Sequence, residues 1–159
     1  MARNSSHESP KQRSALAAAG SERTAPASTA RAPAPREVRR GRILVIDDEP
    51  IVGAAVRRTL CKEHDVTVVG SGREALDLIA SGQRFDLLLS DVMMPNMSGM
   101  ELFAELAQRE PEASRRMVFF TGGAFTERTI RFLEAVPNER LEKPFDPEYL
   151  RAFVRDHLR

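Results

Sequence analysis

The sequence predicts an α/β fold: a doubly wound parallel sheet of five strands with helices on both faces. Three observations predict it. First, short continuous apolar runs recur, among them Ile43-Leu44-Val45-Ile46, Leu87-Leu88-Leu89 and Met117-Val118-Phe119-Phe120. Continuous rather than alternating apolar character marks strands buried on both faces, as in a parallel sheet. Second, strand-like and helix-like segments alternate from Arg42 onward, the pattern of repeated βα units. Third, the runs end on polar residues that can do chemistry. The first leads into Asp47-Asp48-Glu49, Phe85–Ser90 leads into Asp91, the next ends at Thr121, and Leu141-Glu142 leads into Lys143-Pro144. Ligands of open α/β sheets bind at the carboxyl ends of the strands. Asp47, Asp48, Asp91, Thr121 and Lys143 are therefore expected at one edge.

The elements follow in order. A strand over 42–47 precedes a helix of about 50–62 with Val52, Val56 and Leu60 on one face. A second strand covers 65–69. Ser71-Gly72-Arg73-Glu74 has capping-box spacing, in which a hydroxyl and a carboxylate three residues apart satisfy orphan N–H groups reciprocally. It opens a helix carrying Ala75, Leu76 and Ile79, closed at Gly82. The third strand spans 85–90. Pro95 keeps 93–97 out of a helix interior, because its ring blocks the preceding turn. Ser98-Gly99-Met100-Glu101 is a second capping box, starting a helix to about Arg109 with Leu102, Phe103 and Leu106 inward. Strand 116–121 meets Gly122-Gly123, a pair free to take positive φ. A helix near 126–135 presents Ile130 and Leu133 to the core, and a short strand covers 139–142. Asp146-Pro147 supplies an N-cap with proline at the first helical position, opening a fifth helix striped by Leu150, Phe153, Val154 and Leu158.

A chain of 159 residues suits one domain with a real core. Its formal charge of +1 conceals an asymmetry: residues 1–42 hold 9 of the 24 Lys+Arg and only 3 of the 23 Asp+Glu. Residues 1–41 are rich in Ala, Ser, Pro and Arg without apolar periodicity, and are expected to be a disordered basic leader. No aromatic residue is interleaved there for base stacking, which argues against a nucleic-acid-binding arm. The single cysteine, Cys61, excludes an internal disulfide. Its place among helical residues predicts a buried structural thiol. His7, His64 and His157 fall outside every motif and are read as surface residues. No stretch has the 18 or more apolar residues of a membrane span, and the leader has no apolar signal core, so a cytoplasmic protein without membrane contact is expected.

Ile43–Glu49, Asp91-Val92-Met93-Met94-Pro95-Asn96-Met97-Ser98-Gly99, Thr121-Gly122 and Lys143-Pro144-Phe145 together resemble a response-regulator receiver domain of two-component signalling, of the single-domain chemotaxis-regulator kind. The resemblance covers 42–159. It implies the flavodoxin-like strand order 2-1-3-4-5. It also implies that Asp91 accepts a phosphoryl group, with Mg²⁺ held by Asp47, Asp48, Asp91 and the Met93 backbone carbonyl. Thr121 and Lys143 are implied to contact the phosphoryl group, and Lys143-Pro144 to be a cis peptide. The implied donor is a phosphohistidine on a histidine kinase or phosphotransfer protein. The implied output is a downstream target bound at the face formed by the helix near 126–135, the strand near 139–142 and the last helix. The chemistry suits these residue types. Crowded carboxylates repel unless a cation sits among them, and Mg²⁺ is a hard ion that takes oxygen ligands. A carboxylate can attack phosphorus to give an acyl phosphate, and neutralising the equatorial oxygens supplies much of the rate.

Two departures from the family pattern bear on output. Arg140 stands where the family often has a rotating aromatic, and Gly122-Gly123 replaces the commoner Thr/Ser-Ala. Met93 and Gly123 offer no polar side chain to orient a hydrolytic water, so slow self-dephosphorylation is expected. Because the sequence stops at Arg159, directly after the last helix, a stand-alone receiver is expected: a signalling module rather than an enzyme. Two alternatives stand beside it. One is a receiver-fold scaffold that works without phosphorylation. The other is a Mg²⁺-dependent phosphohydrolase, which Met93 opposes because such an enzyme needs a general acid at that place.

Overall fold

In the computed structural model, residues Arg40–Gly123 and Phe125–Arg159 are described. The predicted leader lies outside the described residues except for Arg40 and Gly41, and so does His7. Five strands, β1 (Arg42–Ile46), β2 (Asp65–Val69), β3 (Leu87–Asp91), β4 (Met117–Thr121) and β5 (Arg140–Glu142), form one parallel sheet. Its order is β2-β1-β3-β4-β5, as the family resemblance implied. The helices are α1 (Pro50–Leu60), α2 (Gly72–Ala80), α3 (Gly99–Arg109), α4 (Pro111–Arg115), α5 (Glu127–Ala135) and α6 (Pro147–His157).

The apolar runs supply both cores at once, because successive strand residues point to opposite faces. Ile43, Val45, Leu87, Leu89, Val118 and Phe120 face one side, where α1 and α6 bring Val56, Leu60, Leu150, Val154 and Leu158. Leu44, Ile46, Leu88, Met117 and Phe119 face the other, against Ala75, Leu76 and Ile79 of α2, Leu102 and Leu106 of α3, and Leu133 of α5. Phe103, Phe119 and Phe132 pack edge to face, with centroids 5.3–6.0 Å apart. Each fully buried Leu, Ile or Phe contributes roughly 1.5–3 kcal/mol.

Local chemistry starts the helices. At Ser98 the capping box is complete: the Glu101 N–H donates to Ser98 Oγ (3.2 Å), and the Ser98 N–H donates to Glu101 Oε2 (2.9 Å). At Ser71 the Glu74 N–H donates to Oγ, while the hydroxyl itself donates to the Glu74 carboxylate. Asp146 accepts from the N–H groups of Glu148 and Tyr149 ahead of α6.

The structure departs from the sequence reading at four places. Among the described residues there are six helices, because the five-residue α4 stands between α3 and β4 with Pro111 at its first position. In α5 the buried residues are Thr129 and Leu133, and Ile130 is exposed. The threonine turns inward because its hydroxyl finds partners in Thr126 Oγ1 (3.0 Å) and Met93 Sδ (3.5 Å). Cys61 is exposed, since α1 ends at Leu60 and the thiol lies on the surface of the last turn, donating to the Arg58 carbonyl (3.8 Å). His64, by contrast, is buried where the chain turns from α1 into β2, with Nδ1 accepting the Gly41 N–H (3.3 Å).

Candidate functional site

The sheet order places the carboxyl ends of β1, β3 and β4 side by side, and the polar residues gather there. Val45 is registered with Leu89 and Leu89 with Val118, so neighbouring strands end at one level. Asp47 and Asp48 follow β1, and Asp91 ends β3. Each of these three offers a carboxylate oxygen within 4.8 Å of the others. Asp47 and Asp91 are buried and Asp48 is exposed, so the cluster is open on one side.

Lys143 closes the cluster from beyond β5. Its Nζ lies 2.8 Å from Asp47 Oδ2, 3.2 Å from Asp91 Oδ2 and 3.6 Å from Glu49 Oε1. The Lys143 N–H donates to the Thr121 carbonyl (2.6 Å), and the Lys143-Pro144 peptide is cis. The remaining Asp91 oxygen, Oδ1, accepts the Met93 N–H (3.2 Å), and Asp47 Oδ1 accepts the Glu49 N–H (2.9 Å). Thr121 is buried at the end of β4, its hydroxyl donating to the Leu141 carbonyl (3.4 Å). Gly99 fits beneath the site, because a Cβ there would sit 2.4 Å from the Asp91 carbonyl oxygen.

Burial and pairing oppose each other here. Burial pushes the Asp91 carboxyl above its usual range, and the Met93 N–H and the Lys143 ammonium only partly counter it. Burial alone would lower the Lys143 ammonium, but hydrogen bonding to Asp47 and the Asp91 charge outweigh it and hold the proton above the ordinary lysine range. The result is an ammonium fixed between two carboxylates, one of them costly to keep charged.

The cluster also fits a hard divalent cation. Its donors are all carboxylate oxygens, contributed by two segments, and its exposed side leaves room for water or phosphate oxygens. Beside it a cleft of about 600 Å³ is lined by Glu49, Asp91, Met93, Gly123, Lys143 and Phe145, among others. Every side chain predicted for the site thus lies at this edge, although the Thr121 hydroxyl faces β5. The sequence reading gave no role to Glu49 or Thr129. Glu49 follows directly on the two aspartates, which was the available signal for it. Thr129 carries no such signal.

A five-stranded 2-1-3-4-5 sheet with a carboxylate cluster and a lysine at the switch point of strand order defines a flavodoxin-like α/β protein whose polar strand ends meet at one edge. Residues 43–155 match the family model described as response regulator receiver domain, and the chain belongs to that family. The response regulator MprA of Mycolicibacterium vanbaalenii is 38% identical over 119 residues, covering 74% of this chain and 50% of that protein. The transcriptional regulatory protein TcrA of Mycobacterium tuberculosis is 36% identical over 115 residues, covering 72% of this chain and 44% of that protein. The chain thus spans about half the length of the curated relatives it matches. Among solved structures, the Vibrio cholerae chemotaxis protein CheY4 superposes with a TM-score of 0.64 at 28% identity, covering 75% of this chain and 99% of that one. The Francisella response regulator 1452 receiver domain does so with a TM-score of 0.62 at 26% identity, covering 74% and 96%. The protein therefore carries a receiver domain of two-component signalling. Among the described residues, no helix is long and apolar enough to cross a membrane.

Proposed function

We propose that residues 42–159 act as a phosphorylation-dependent switch in which Asp91 takes a phosphoryl group from a histidine kinase or phosphotransfer protein. Residues 1–41 are a basic leader to this cytoplasmic module. The observation that carries the reading is the position of Asp91: buried at the end of β3, with one oxygen held by the Met93 N–H and the other by Lys143. That arrangement orients the carboxylate as a nucleophile. It also sets a cation where charge on a transferred phosphoryl group would need neutralising.

Asp47, Asp48, Asp91 and the Met93 backbone carbonyl would hold Mg²⁺, which supplies charge neutralisation for the phosphoryl oxygens when bound. Lys143 shifts its hydrogen bonding from the Asp91 carboxylate to the phosphoryl oxygens. The Thr121 hydroxyl leaves the Leu141 carbonyl to donate to another of those oxygens. That movement biases the face of α5, β5 and α6, to which a downstream target binds. No aromatic side chain reports the change at Arg140, whose guanidinium donates to the Leu133 carbonyl of α5 (2.9 Å). Met93 and Gly123 leave a hydrolytic water unoriented, so the phosphorylated form is long-lived. The domain turns over only its own phosphate and is not otherwise an enzyme.

Intact mass spectrometry after incubation with acetyl phosphate tests this. One added phosphate that requires Mg²⁺ and disappears in Asp91→Asn is the expected result. An unmodified wild type that still folds and binds Mg²⁺ would favour a scaffold working without phosphorylation.

A further inference from the structure

We propose that Glu49 sets the donor class of this site, favouring phosphoryl donors whose leaving group is a cationic nitrogen base over free acyl phosphates. The inference rests on the receiver reading above and deepens it.

Glu49 stands at the mouth of the cleft that holds Asp91. Its backbone is fixed: the N–H donates to Asp47 Oδ1, and its carbonyl accepts from Val52 and Gly53 at the start of α1. Although it occupies the N-cap of α1, its side chain makes no capping hydrogen bond. The carboxylate instead points toward Lys143 at 3.6 Å, and the side chain remains 64% exposed. It is thus positioned by the site without being consumed by it. The cleft is lined by the carboxylates of Glu49 and Asp91 against the ammonium of Lys143, and the carboxylates of Asp47 and Asp48 lie beside Asp91. The other lining side chains, Ile51, Val52, Ala55, Met93, Pro144 and Phe145, carry no charge.

An in-line attack by Asp91 sends the leaving group outward, away from Asp91 and toward this mouth. In every case an Asp91 oxygen–phosphorus bond forms. With acetyl phosphate the P–O bond breaks and its electron pair departs on acetate, so negative charge grows beside Glu49. With phosphoramidate, whose nitrogen is already protonated, the P–N bond breaks and the pair departs on neutral ammonia. A phosphohistidine protonated on its other ring nitrogen also passes from a cation to a neutral base. The P–N bond breaks and its pair stays on the ring nitrogen that bore the phosphorus, giving neutral imidazole. Glu49 therefore opposes the first reaction and stabilises the cationic nitrogen of the second. A unit charge acting across several ångströms at a half-exposed site changes the ratio of the two rates by about three- to tenfold.

The test compares wild type with Glu49→Gln at saturating Mg²⁺ and low ionic strength. Phosphorylation rate constants with acetyl phosphate and with phosphoramidate are read by intact mass, and Mg²⁺ affinity is measured separately by calorimetry. The expected result is a rise of about fivefold in the acetyl phosphate to phosphoramidate rate ratio in the variant, shrinking at high salt. An unchanged or lower ratio overturns the proposal, as does an equal loss of both rates, which would make Glu49 only a support for Lys143. A wild type that accepts phosphate from neither donor overturns the receiver reading, and this inference with it.

Discussion

Replacing Lys143 by methionine keeps most of the unbranched apolar stem of the side chain and deletes the ammonium that bonds Asp47 and Asp91. The structure sets the size of the effect. The Asp47 side chain is fully buried and that of Asp91 is 10% exposed, while Lys143 itself is 16% exposed. Removing one partner from such a group leaves uncompensated buried charge, at a cost of about 3–5 kcal/mol. Methionine recovers part of this, because burying the ammonium carries its own penalty, so about 3 kcal/mol should be lost near pH 7 in EDTA. For a domain of this size that lowers Tm by roughly 10 °C. Two conditions separate this mechanism from simple loss of packing. Mg²⁺ should restore most of the loss by replacing the missing positive charge. Acid should also reduce it. The Asp91 carboxyl titrates above its usual range when folded, so the folded state binds more protons than the unfolded one between the two values. Stability attributable to Asp91 therefore rises as pH falls through that window, and more so without the lysine. Urea unfolding at pH 5 and pH 7, with EDTA or Mg²⁺, measures all three effects. A loss below about 1 kcal/mol in EDTA, or a loss that Mg²⁺ enlarges, would refute the reasoning.

Three further outcomes follow from the geometry. Gly99→Ala should cost about 2 kcal/mol or more and slow phosphorylation, because the added methyl meets the Asp91 backbone; unchanged urea unfolding and rate would contradict this. Ser98→Ala should cost about 1 kcal/mol in the same unfolding assay, since it breaks the complete capping box at α3. Burial holds the His64 imidazole below the usual histidine range, so the unfolded chain binds its proton first as pH falls below about 6.5. Stability should therefore decline on acidification through that window, and His64→Asn should flatten that part of the curve relative to wild type; parallel Tm profiles would exclude it.

The sheet was legible because its three central strands, β1, β3 and β4, are largely continuous apolar runs that stand apart from the helices between them. The strand-end carboxylates were legible for the same reason: a strand end fixes where the next residue goes. What escaped was set by contacts distant in sequence. Thr129 turns inward because Met93, 36 positions away, offers a sulfur to its hydroxyl, and a hydrophobicity ranking prefers Ile130 there. His64 is buried with its Nδ1 accepting the Gly41 N–H from 23 positions away, a contact that no local periodicity encodes. The one-turn α4 lacks an apolar stripe, although Pro111 after Glu110 was a start signal that could have been used. Asp91 and Lys143 are 52 positions apart; the strand-end pattern placed them at one edge, but their direct contact depends on how the chain returns after β5, which no local pattern encodes.

The most direct test of the central claim is to locate the phosphoryl group itself. Protein treated with acetyl phosphate and Mg²⁺ would be reduced with borohydride, which converts an acyl phosphate to an alcohol, and then digested and sequenced by mass spectrometry. The account predicts a single reduced residue, Asp91, absent when Mg²⁺ is withheld. Reduction at Asp47, Asp48 or Glu49 instead, or no reduced residue in folded, Mg²⁺-bound protein, would contradict it.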